Sequence, residues 1–408
     1  MTSSTAGVPS LAAREADDDY GSALFASFLG WTLDAFDFFV LVFVLPSVAE
    51  EFHTDVPSMA LTITVTLAFR PVGALLFGLM ADRYGRRLPL MIDLVFYSVV
   101  EVLSGLAPTY WSFLVLRALF GIGMGGEWGV GASLAMEKVP PRWRGMLSGV
   151  LQEGYAVGYL LAACCYFFVF PRWGWRPMFY IGGLPALLAL FVRARVKESE
   201  VWERTRHRTW GALGRGIAAE WRLFAYLTLL MTMMTCVSHG TQDMYPTFLK
   251  LERGFAPGHV AIIAVIYNLG ALVGGIVFGR VSDHFGRRRA VVAALLLAVL
   301  AIPLWAYAPT TGLLIVGAFV MQFMVQGAWG VIPAHITELA PDGVRGFLPG
   351  FAYQCGVLLG SSIAWVEAVF ATRTSYANTM ALTALLVFVL GAAVTALGRE
   401  RKGTRFGG

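Results

Sequence analysis

The stretch "GLMADRYGRR" (Gly78–Arg87) follows a long apolar run and recurs as "GRVSDHFGRR" (Gly279–Arg288), 201 residues further along the chain. The same displacement carries "GEWG" around Trp128 onto "GAWG" around Trp329. Landmarks that share one register indicate an internal repeat of two similar halves, each several helices long. The repeat therefore predicts a protein of two pseudo-symmetric domains.

The composition excludes an ordinary soluble protein. Of the 408 residues, 57% are hydrophobic and only 14% are charged, whereas soluble domains have about 25% charged residues. A water-soluble chain of this length could not bury that much apolar surface in one core. The opening residues are polar and contain "EADDDY" (Glu15–Tyr20), so we expect no cleavable signal peptide. The sequence predicts an integral membrane protein.

Continuous apolar runs predict twelve membrane-spanning helices, because about 20 apolar residues cross the hydrocarbon layer as a helix. The runs do not alternate as barrel strands do. The predicted fold class is an all-α membrane protein of two six-helix bundles. The predicted spans lie at about 22–48, 58–81, 88–107, 110–136, 146–170, 174–194, 222–249, 257–280, 290–308, 311–337, 347–370 and 376–398.

Basic residues predict the orientation. Arg172, Arg176, Lys250, Arg253 and Arg373 fall in one set of loops, and most other Lys and Arg residues fall on the opposite side. The positive-inside rule then places both termini in the cytoplasm. The predicted organisation is a cytoplasmic tail (1–21), an N-terminal bundle (22–195), a cytoplasmic linker (196–221), a C-terminal bundle (222–398) and a second tail (399–408).

The repeated loops predict a gate between the two halves. A glycine allows neighbouring spans to approach closely, and the acidic and basic groups can form charge-assisted hydrogen bonds that hold one conformation. We expect Asp93, at the same end of span 3, to join them. The predicted gating residues are Asp82, Arg83, Arg86, Arg87, Asp283, Arg287, Glu137, Arg144, Glu338 and Arg345.

These loops resemble the signature of the major facilitator superfamily, and the resemblance covers almost the whole chain. Four further segments resemble the sialate:proton symporter family, nearest its proton-coupled lactate and pyruvate permeases. They are "GWTLDAFDFF" (30–39), "GIGMGGEWG" (121–129), "LQEGYAVGY" (151–159) and "GWRPMF" (174–179).

The seventh span carries the most specific resemblance. Those permeases share the pattern N-x-x-[ST]-H-x-S-Q-D-x-x-x-T, of which this chain keeps Ser238, His239, Gln242, Asp243 and Thr247. It departs from the pattern with threonine at positions 235 and 241, and it has valine at 357 where those permeases carry asparagine in the eleventh span. The resemblance implies a small carboxylate substrate, and these departures leave its identity open.

Ionisable groups inside spans are costly and indicate function. Asp34 and Asp37 share one side of span 1, and His239, Gln242 and Asp243 share one side of span 7. In the family that the chain resembles these spans are central, which implies that the two polar faces look at each other across a cavity. The predicted substrate-binding residues are Arg70, His239, Gln242, Gln354 and Tyr353. The predicted proton-coupling residues are Asp34, Asp37, Glu127, Asp243, Arg117 and Glu153.

The sequence has no nucleotide-binding loop, metal-ligand cluster or catalytic triad. We therefore expect no enzyme activity, no cofactor, no metal and no nucleic-acid partner. The predicted function is a secondary active transporter, monomeric in the inner or plasma membrane, that moves a small lactate-like or pyruvate-like monocarboxylate with a proton. The alternatives are a proton-coupled carrier of sialic acid or another organic acid, such as an aromatic acid, an uncoupled facilitator, and a substrate sensor.

Overall fold

The computed structural model describes residues 11–205, 209–371 and 373–407. The regular structure in these ranges is helical, and eleven helical segments are long and apolar enough to cross a membrane. The predicted class is therefore confirmed: the chain is an all-α, multi-pass membrane protein. Each segment is apolar along most of its surface, because one side faces the bundle and the other faces lipid.

From residue 11 onwards, where the structure is described, the N-terminal half contains eight helices. They are α1 Leu11–Glu51, α2 Val56–Tyr84, α3 Arg87–Gly105, α4 Tyr110–Lys138, α5 Arg144–Gln152, α6 Gly154–Trp173, α7 Arg176–Ile181 and α8 Pro185–Arg195. Two short helices follow in the linker, α9 Glu200–Thr205 and α10 Trp210–Ala219.

The C-terminal half repeats this order. Its helices are α11 Trp221–Gln242, α12 Tyr245–Leu251, α13 Pro257–Phe285, α14 Arg287–Tyr307, α15 Thr311–Leu339, α16 Leu348–Gly360, α17 Ile363–Ala371 and α18 Tyr376–Leu397. A 3₁₀ turn, Asp342–Val344, precedes α16.

Four predicted spans are broken into two helices. The breaks follow Gln152, Ile181, Gln242 and Gly360, and they separate α5 from α6, α7 from α8, α11 from α12 and α16 from α17. The last pair has 13 and 9 residues, so neither helix alone is long enough to cross the hydrocarbon layer. Eleven long segments and this pair together correspond to the twelve predicted spans.

Helix α1 begins at Leu11, well before the predicted start of the first span. Leu, Ala, Arg and Glu are good helix formers, so the helix continues through part of the predicted polar tail. Hydropathy located the apolar part of the helix correctly, but it does not detect a polar extension.

The main contacts between the two halves lie at one end, which we call the gate end. There α5 packs against α13 and α15, and α16 packs against α2 and α4. The beginning of α1 and the C-terminal tail also lie at this end, since Ser27 bonds to Gly131 near the end of α4 and Glu400 bonds to the start of α14. The structure is therefore closed at the gate end.

Glycine makes this closure possible. A Cβ atom placed on Gly129 of α4 would lie 2.7 Å from the Cα atom of Gly350 in α16. That separation is too short for two non-bonded carbon atoms, so any side chain at Gly129 must push the halves apart.

We expect Gly129→Leu to shift the protein towards conformations open at the gate end, lowering the closed-to-open ratio roughly fivefold or more, as overpacking a tight contact does. Nitroxide labels on Arg142→Cys and Arg289→Cys, in a cysteine-free background, would report the distance across this end. Gly312→Leu is the matched control, because a Cβ there meets nothing within 4 Å. A distance distribution that Gly129→Leu leaves unchanged would contradict this account of closure.

Candidate functional site

The gate contains two mirrored carboxylate caps. Asp82, at the end of α2, accepts hydrogen bonds from the backbone N–H groups of Gly346 (2.8 Å) and Phe347 (3.0 Å) in the other half. These N–H groups start helix α16 and have no helical acceptor of their own. A buried carboxylate at this position satisfies them and interacts favourably with the helix dipole.

The second cap repeats the first in the opposite direction. Asp283, at the end of α13, accepts from the N–H groups of Gly145 (2.8 Å) and Met146 (3.0 Å) at the start of α5. Each signature loop thus holds the beginning of a helix that belongs to the other half. The pseudo-symmetry predicted from the repeat is present in these atomic contacts.

One arginine in each half holds the capping aspartate of that half in place. Arg86 contacts Asp82 at 2.6 Å and Glu137 at 3.0 Å. Its counterpart Arg287 contacts Asp283 at 2.7 Å and Glu338 at 3.0 Å. Both guanidinium groups are fully buried, and each is compensated by two carboxylates, which a buried cation requires.

Two further arginines join the halves. Arg144 donates to Glu338 at 2.9 Å, and Arg345 lies 3.7 Å from Glu137. We call these eight residues the gate ring: Asp82, Arg86, Glu137, Arg144, Asp283, Arg287, Glu338 and Arg345.

Two predicted gating residues lie apart from the ring. Arg83 stacks over the Tyr84 ring, and Arg87 donates to the carbonyl of Arg193. Asp93, expected to join the gate, is instead buried inside the N-terminal half. It lies in the second turn of α3, on the face that packs against α4.

Two glutamates of the gate were not predicted. Glu198 accepts from the N–H groups of Arg86 (2.9 Å) and Arg87 (3.2 Å), and Glu400 accepts in the same way at the start of α14, 3.0 Å from the Arg287 nitrogen. Both follow the last span of a half and are 202 residues apart. The repeat could have revealed them only if its register were allowed to slip by one residue.

Arg70 lies between the halves, deeper than the gate. It is 5% exposed, and its Nε and Nη2 atoms have no hydrogen-bond partner among the described residues. It lies beside Tyr353 of the other half, whose ring stacks on Trp128 at 4.2 Å between centroids. Gln354 is also buried, and neither its amide nitrogen nor its amide oxygen has a hydrogen-bond partner among the described residues. The structure therefore assembles unused hydrogen-bonding groups at the centre.

The polar cluster of α11 lies near the end of that helix, towards the side opposite the gate. His239 Nδ1 is 3.0 Å from Asp243 Oδ2, and their side chains are 45% and 39% exposed. Tyr155 of the N-terminal half lies within electrostatic reach of both Arg70 and Asp243. The His239–Asp243 pair therefore borders the space between the halves, and Tyr155 lies near both this pair and Arg70.

Gln242 is engaged elsewhere. Its Nε2 atom donates to Gln322 Oε1 of α15 at 2.7 Å. Gln322 was not predicted, although a buried glutamine in an apolar run is the kind of signal that marks such a site. In this conformation Gln242 orients a neighbour instead of presenting a free amide.

The expectation that the polar faces of spans 1 and 7 look at each other is wrong. Asp34 and Asp37 are fully buried, and a Cβ on Gly182, which follows α7, would lie 2.5 Å from Asp37 Oδ1. Glu127 is likewise buried, against Gly30 of α1. Periodicity shows that two residues share a face, but packing against glycines decides the direction of that face.

Arg117 and Glu101 form a buried ion pair inside the N-terminal half. One Arg117 nitrogen, Nη2, donates to both Glu101 and the Ser104 hydroxyl, the latter at 2.6 Å. The guanidinium also lies over the Phe120 ring at 4.6 Å. Arg117 thus has a defined partner that the sequence did not predict.

Two other acidic residues remain to be placed: Glu153 lies at the interface between the halves, and Glu367 lies close to the polar cluster of α11. Glu153 follows α5 directly and approaches α13, since a Cβ on Gly275 would lie 2.2 Å from its Oε1. Glu367 in α17, which was not predicted, is 1% exposed and close to Gly240, one residue after His239. It is an acidic residue within an apolar run, the signal that identified the other intramembrane acids.

Two helical bundles that pack at one end through mirrored ion pairs, with unpartnered polar groups at the centre between them, define a membrane transporter. The chain belongs to the Major Facilitator Superfamily, whose family model matches residues 27–241 and 228–406.

Relatives in other organisms are transporters named for organic cargo. A carboxylic acid transporter protein homolog of Saccharomyces cerevisiae is 27% identical, over 92% of this chain and 68% of its own. A probable 4-methylmuconolactone transporter of Cupriavidus pinatubonensis is 30% identical, over 89% and 86%. The sialic acid transporter NanX of Escherichia coli is 28% identical, over 90% and 93%. The chain is therefore a transporter of this superfamily rather than an enzyme.

A solved structure supports the fold. The proton:xylose symporter XylE, bound to 6-bromo-6-deoxy-D-glucose, superposes with a TM-score of 0.77 at 19% identity, covering 96% of this chain and 98% of that one. At this identity the likeness concerns the fold alone.

Proposed function

We propose that this transporter moves a small monocarboxylate, such as lactate or pyruvate, together with a proton by alternating access of its two halves. The observation that carries the proposal is Arg70. It is a buried guanidinium at the centre, with two nitrogen atoms that have no partner in the described chain.

A guanidinium matches a carboxylate in shape and charge. Its two free N–H directions can donate a bidentate pair to one carboxylate, which is the strongest common hydrogen-bonded arrangement for that anion. Gln354, next to Tyr353 in α16, has both amide atoms free to bond a keto or hydroxyl oxygen. The centre can therefore bind a small 2-oxo or 2-hydroxy acid.

The N-terminal half contains more buried acids than bases, which supports proton coupling. Arg117 pairs with Glu101, and Arg70 lies within electrostatic reach of Asp34. Asp82 pairs with Arg86 in the gate ring, and Glu153 lies beside the other half. The other three buried carboxyls in the described part of this half are Asp37, Asp93 and Glu127, and none of their carboxyl oxygens has a hydrogen-bond partner there.

An uncompensated carboxylate inside a membrane protein costs several kcal/mol, so such groups hold protons when the site is closed to water. The Tyr97 hydroxyl, also unpartnered, lies within electrostatic reach of all three and of Asp34. This cluster provides groups that can take up and release a proton while the halves move. The hydrogen-bonded pair of His239 and Asp243 is a second candidate for proton coupling.

Glu127→Gln keeps the shape of the side chain but removes its exchangeable proton. We expect it to abolish accumulation of substrate driven by a pH gradient while exchange of labelled for unlabelled substrate continues, because exchange needs no net proton movement. Both would be measured in proteoliposomes. Glu50→Gln, an exposed site in α1, is the matched control. Gradient-driven accumulation at the unaltered level would remove Glu127 from the mechanism.

A flat unsaturated or aromatic carboxylate is a second candidate substrate. Aromatic rings pack around Tyr155, which lies within electrostatic reach of Arg70 and Asp243. Tyr155 stacks on Trp31 at 5.5 Å, and Phe39 packs against Tyr155 at 5.2 Å and against Tyr159 at 4.9 Å. Planar acids would stack on such rings.

Competition separates these substrates. Uptake of labelled lactate into proteoliposomes would be measured with pyruvate, benzoate, sialate or an uncharged sugar in excess. Strong inhibition by pyruvate supports the proposal, and strong inhibition by benzoate favours the second candidate. Inhibition by sialate alone would favour a sialic acid carrier. If lactate uptake were not saturable, the lactate proposal would be overturned.

A further inference from the structure

The C-terminal tail returns to the gate. After α18, Glu400 caps the start of α14, and the Lys402 ammonium donates to the carbonyl of His284 at 2.7 Å. Further along, the Gly407 N–H donates to Asp342 at 2.8 Å. The tail therefore crosses the gate end from α14 to the turn before α16, making hydrogen bonds along its course.

Phe406 is the point at which the tail contacts both halves. Its ring lies between two guanidinium groups, 3.9 Å from that of Arg144 and 3.7 Å from that of Arg345. Arg144 also donates to the carbonyl of Thr404 at 2.9 Å. Arg144 belongs to the N-terminal half and Arg345 to the C-terminal half, so one aromatic ring joins the two through cation–π contacts.

We propose that residues 400–407 form a strap that stabilises the conformation closed at the gate end, and that Phe406 is its anchor. Opening this end must separate Arg144 of the N-terminal half from Glu338 of the C-terminal half. Arg345 moves with Glu338, so it separates from Arg144 as well. One ring cannot stay in contact with both guanidinium groups once they move apart. The strap therefore dissociates from at least one half in each transport cycle.

The charges around the ring favour this arrangement. Arg144 faces Glu338, and Arg345 faces both Glu137 and Asp342. Each guanidinium thus has a carboxylate partner, while its flat face remains available to an aromatic ring. A ring between them separates two like charges and adds attraction to each, which a saturated side chain cannot do.

The linker makes an equivalent contact at the other signature loop. Trp202 of α9 donates its indole N–H to the carbonyl of Asp82 at 2.8 Å, four residues after the cap made by Glu198. Gly407 in turn lies against Val201, at 3.6 Å for an added Cβ atom. The segments that follow the last span of each half thus meet at the gate, as parts of one repeated design.

The test uses the full chain with nitroxide labels on Arg142→Cys and Arg289→Cys in a cysteine-free background. We expect Phe406→Leu, which keeps an apolar side chain but loses the π face, to raise the population open at the gate end roughly fivefold, equivalent to losing one or two cation–π contacts. Phe406→Trp keeps the π face and is expected to restore the closed distribution.

Arg405→Ala is the control, because Arg405 is an exposed neighbour in the tail. A distribution that is the same in Phe406→Leu and the parent, with both proteins monodisperse and equally heat-stable, would overturn the strap. A shift that Arg405→Ala reproduces would also overturn the anchor role of Phe406. The proposal rests on alternating access, but the distance measurement needs neither substrate nor proton gradient, so it can succeed or fail independently of the proposed cargo.

Discussion

Arg70→Lys is expected to lower the apparent affinity for the carboxylate substrate about tenfold to a hundredfold. Lysine keeps the positive charge but cannot form the bidentate pair, and a hydrogen bond to a charged group contributes about 1.5–3 kcal/mol. The measurement is the substrate concentration at half-maximal uptake in proteoliposomes. The loss should appear in affinity for the carboxylate, because the altered group is proposed to bind the substrate directly.

Arg172→Lys is the matched control, since Arg172 is exposed on α6 and donates to a carbonyl of its own helix. Its affinity should equal that of the parent. If Arg70→Lys retained the parent affinity, the carboxylate would have to bind elsewhere, and the His239–Asp243 side of the cavity would become the better candidate.

Arg117→Met is expected to destabilise the protein by about 3–5 kcal/mol, because it leaves Glu101 buried without its cation. Thermal unfolding in detergent would show a large fall in the midpoint. Methionine has an apolar side chain of similar length, so it retains most of the packing against Phe113, Phe120 and Phe179.

The double variant Arg117→Met/Glu101→Gln should recover much of this loss, because the buried charge is removed with its partner. Glu101→Gln alone leaves an unpaired guanidinium and should also be destabilising. Additive effects of the two single changes would show that the pair does not act as a unit.

The repeat made the gate predictable. The 201-residue register placed Asp82 on Asp283 and Glu137 on Glu338, and all four lie in the gate ring. Helix count and fold class followed from hydropathy, because spans in lipid must satisfy their backbone hydrogen bonds internally. The roles of these four gate-ring residues in opening and closing the gate stay a prediction.

The direction of a polar face was not predictable. Asp34 and Asp37 share one side of α1, as their spacing requires, yet that side faces the interior of the N-terminal half. Gly182 provides room for Asp37 beside Glu101, and Gly30 of α1 provides room for Glu127 of α4. Such room is a property of three helices together, and no single helix carries a signal for it.

Contacts between polar residues that are distant in the chain also could not be predicted from the sequence. The Gln242–Gln322 bond and the Arg117–Glu101 pair each join two spans whose relative rotation periodicity does not define. Phe406 was part of a short basic tail with no apolar run, so nothing in its surroundings indicated that it would lie between two arginines. These contacts depend on tertiary packing.

Proton movement tests the central claim most directly. Lactate would be added to lightly buffered, de-energised proteoliposomes, and the external pH would be recorded beside protein-free vesicles. The account predicts a transient external alkalinisation that requires the protein, saturates with lactate and disappears with a protonophore. Saturable uptake of labelled lactate with no protein-dependent pH change would contradict proton-coupled transport.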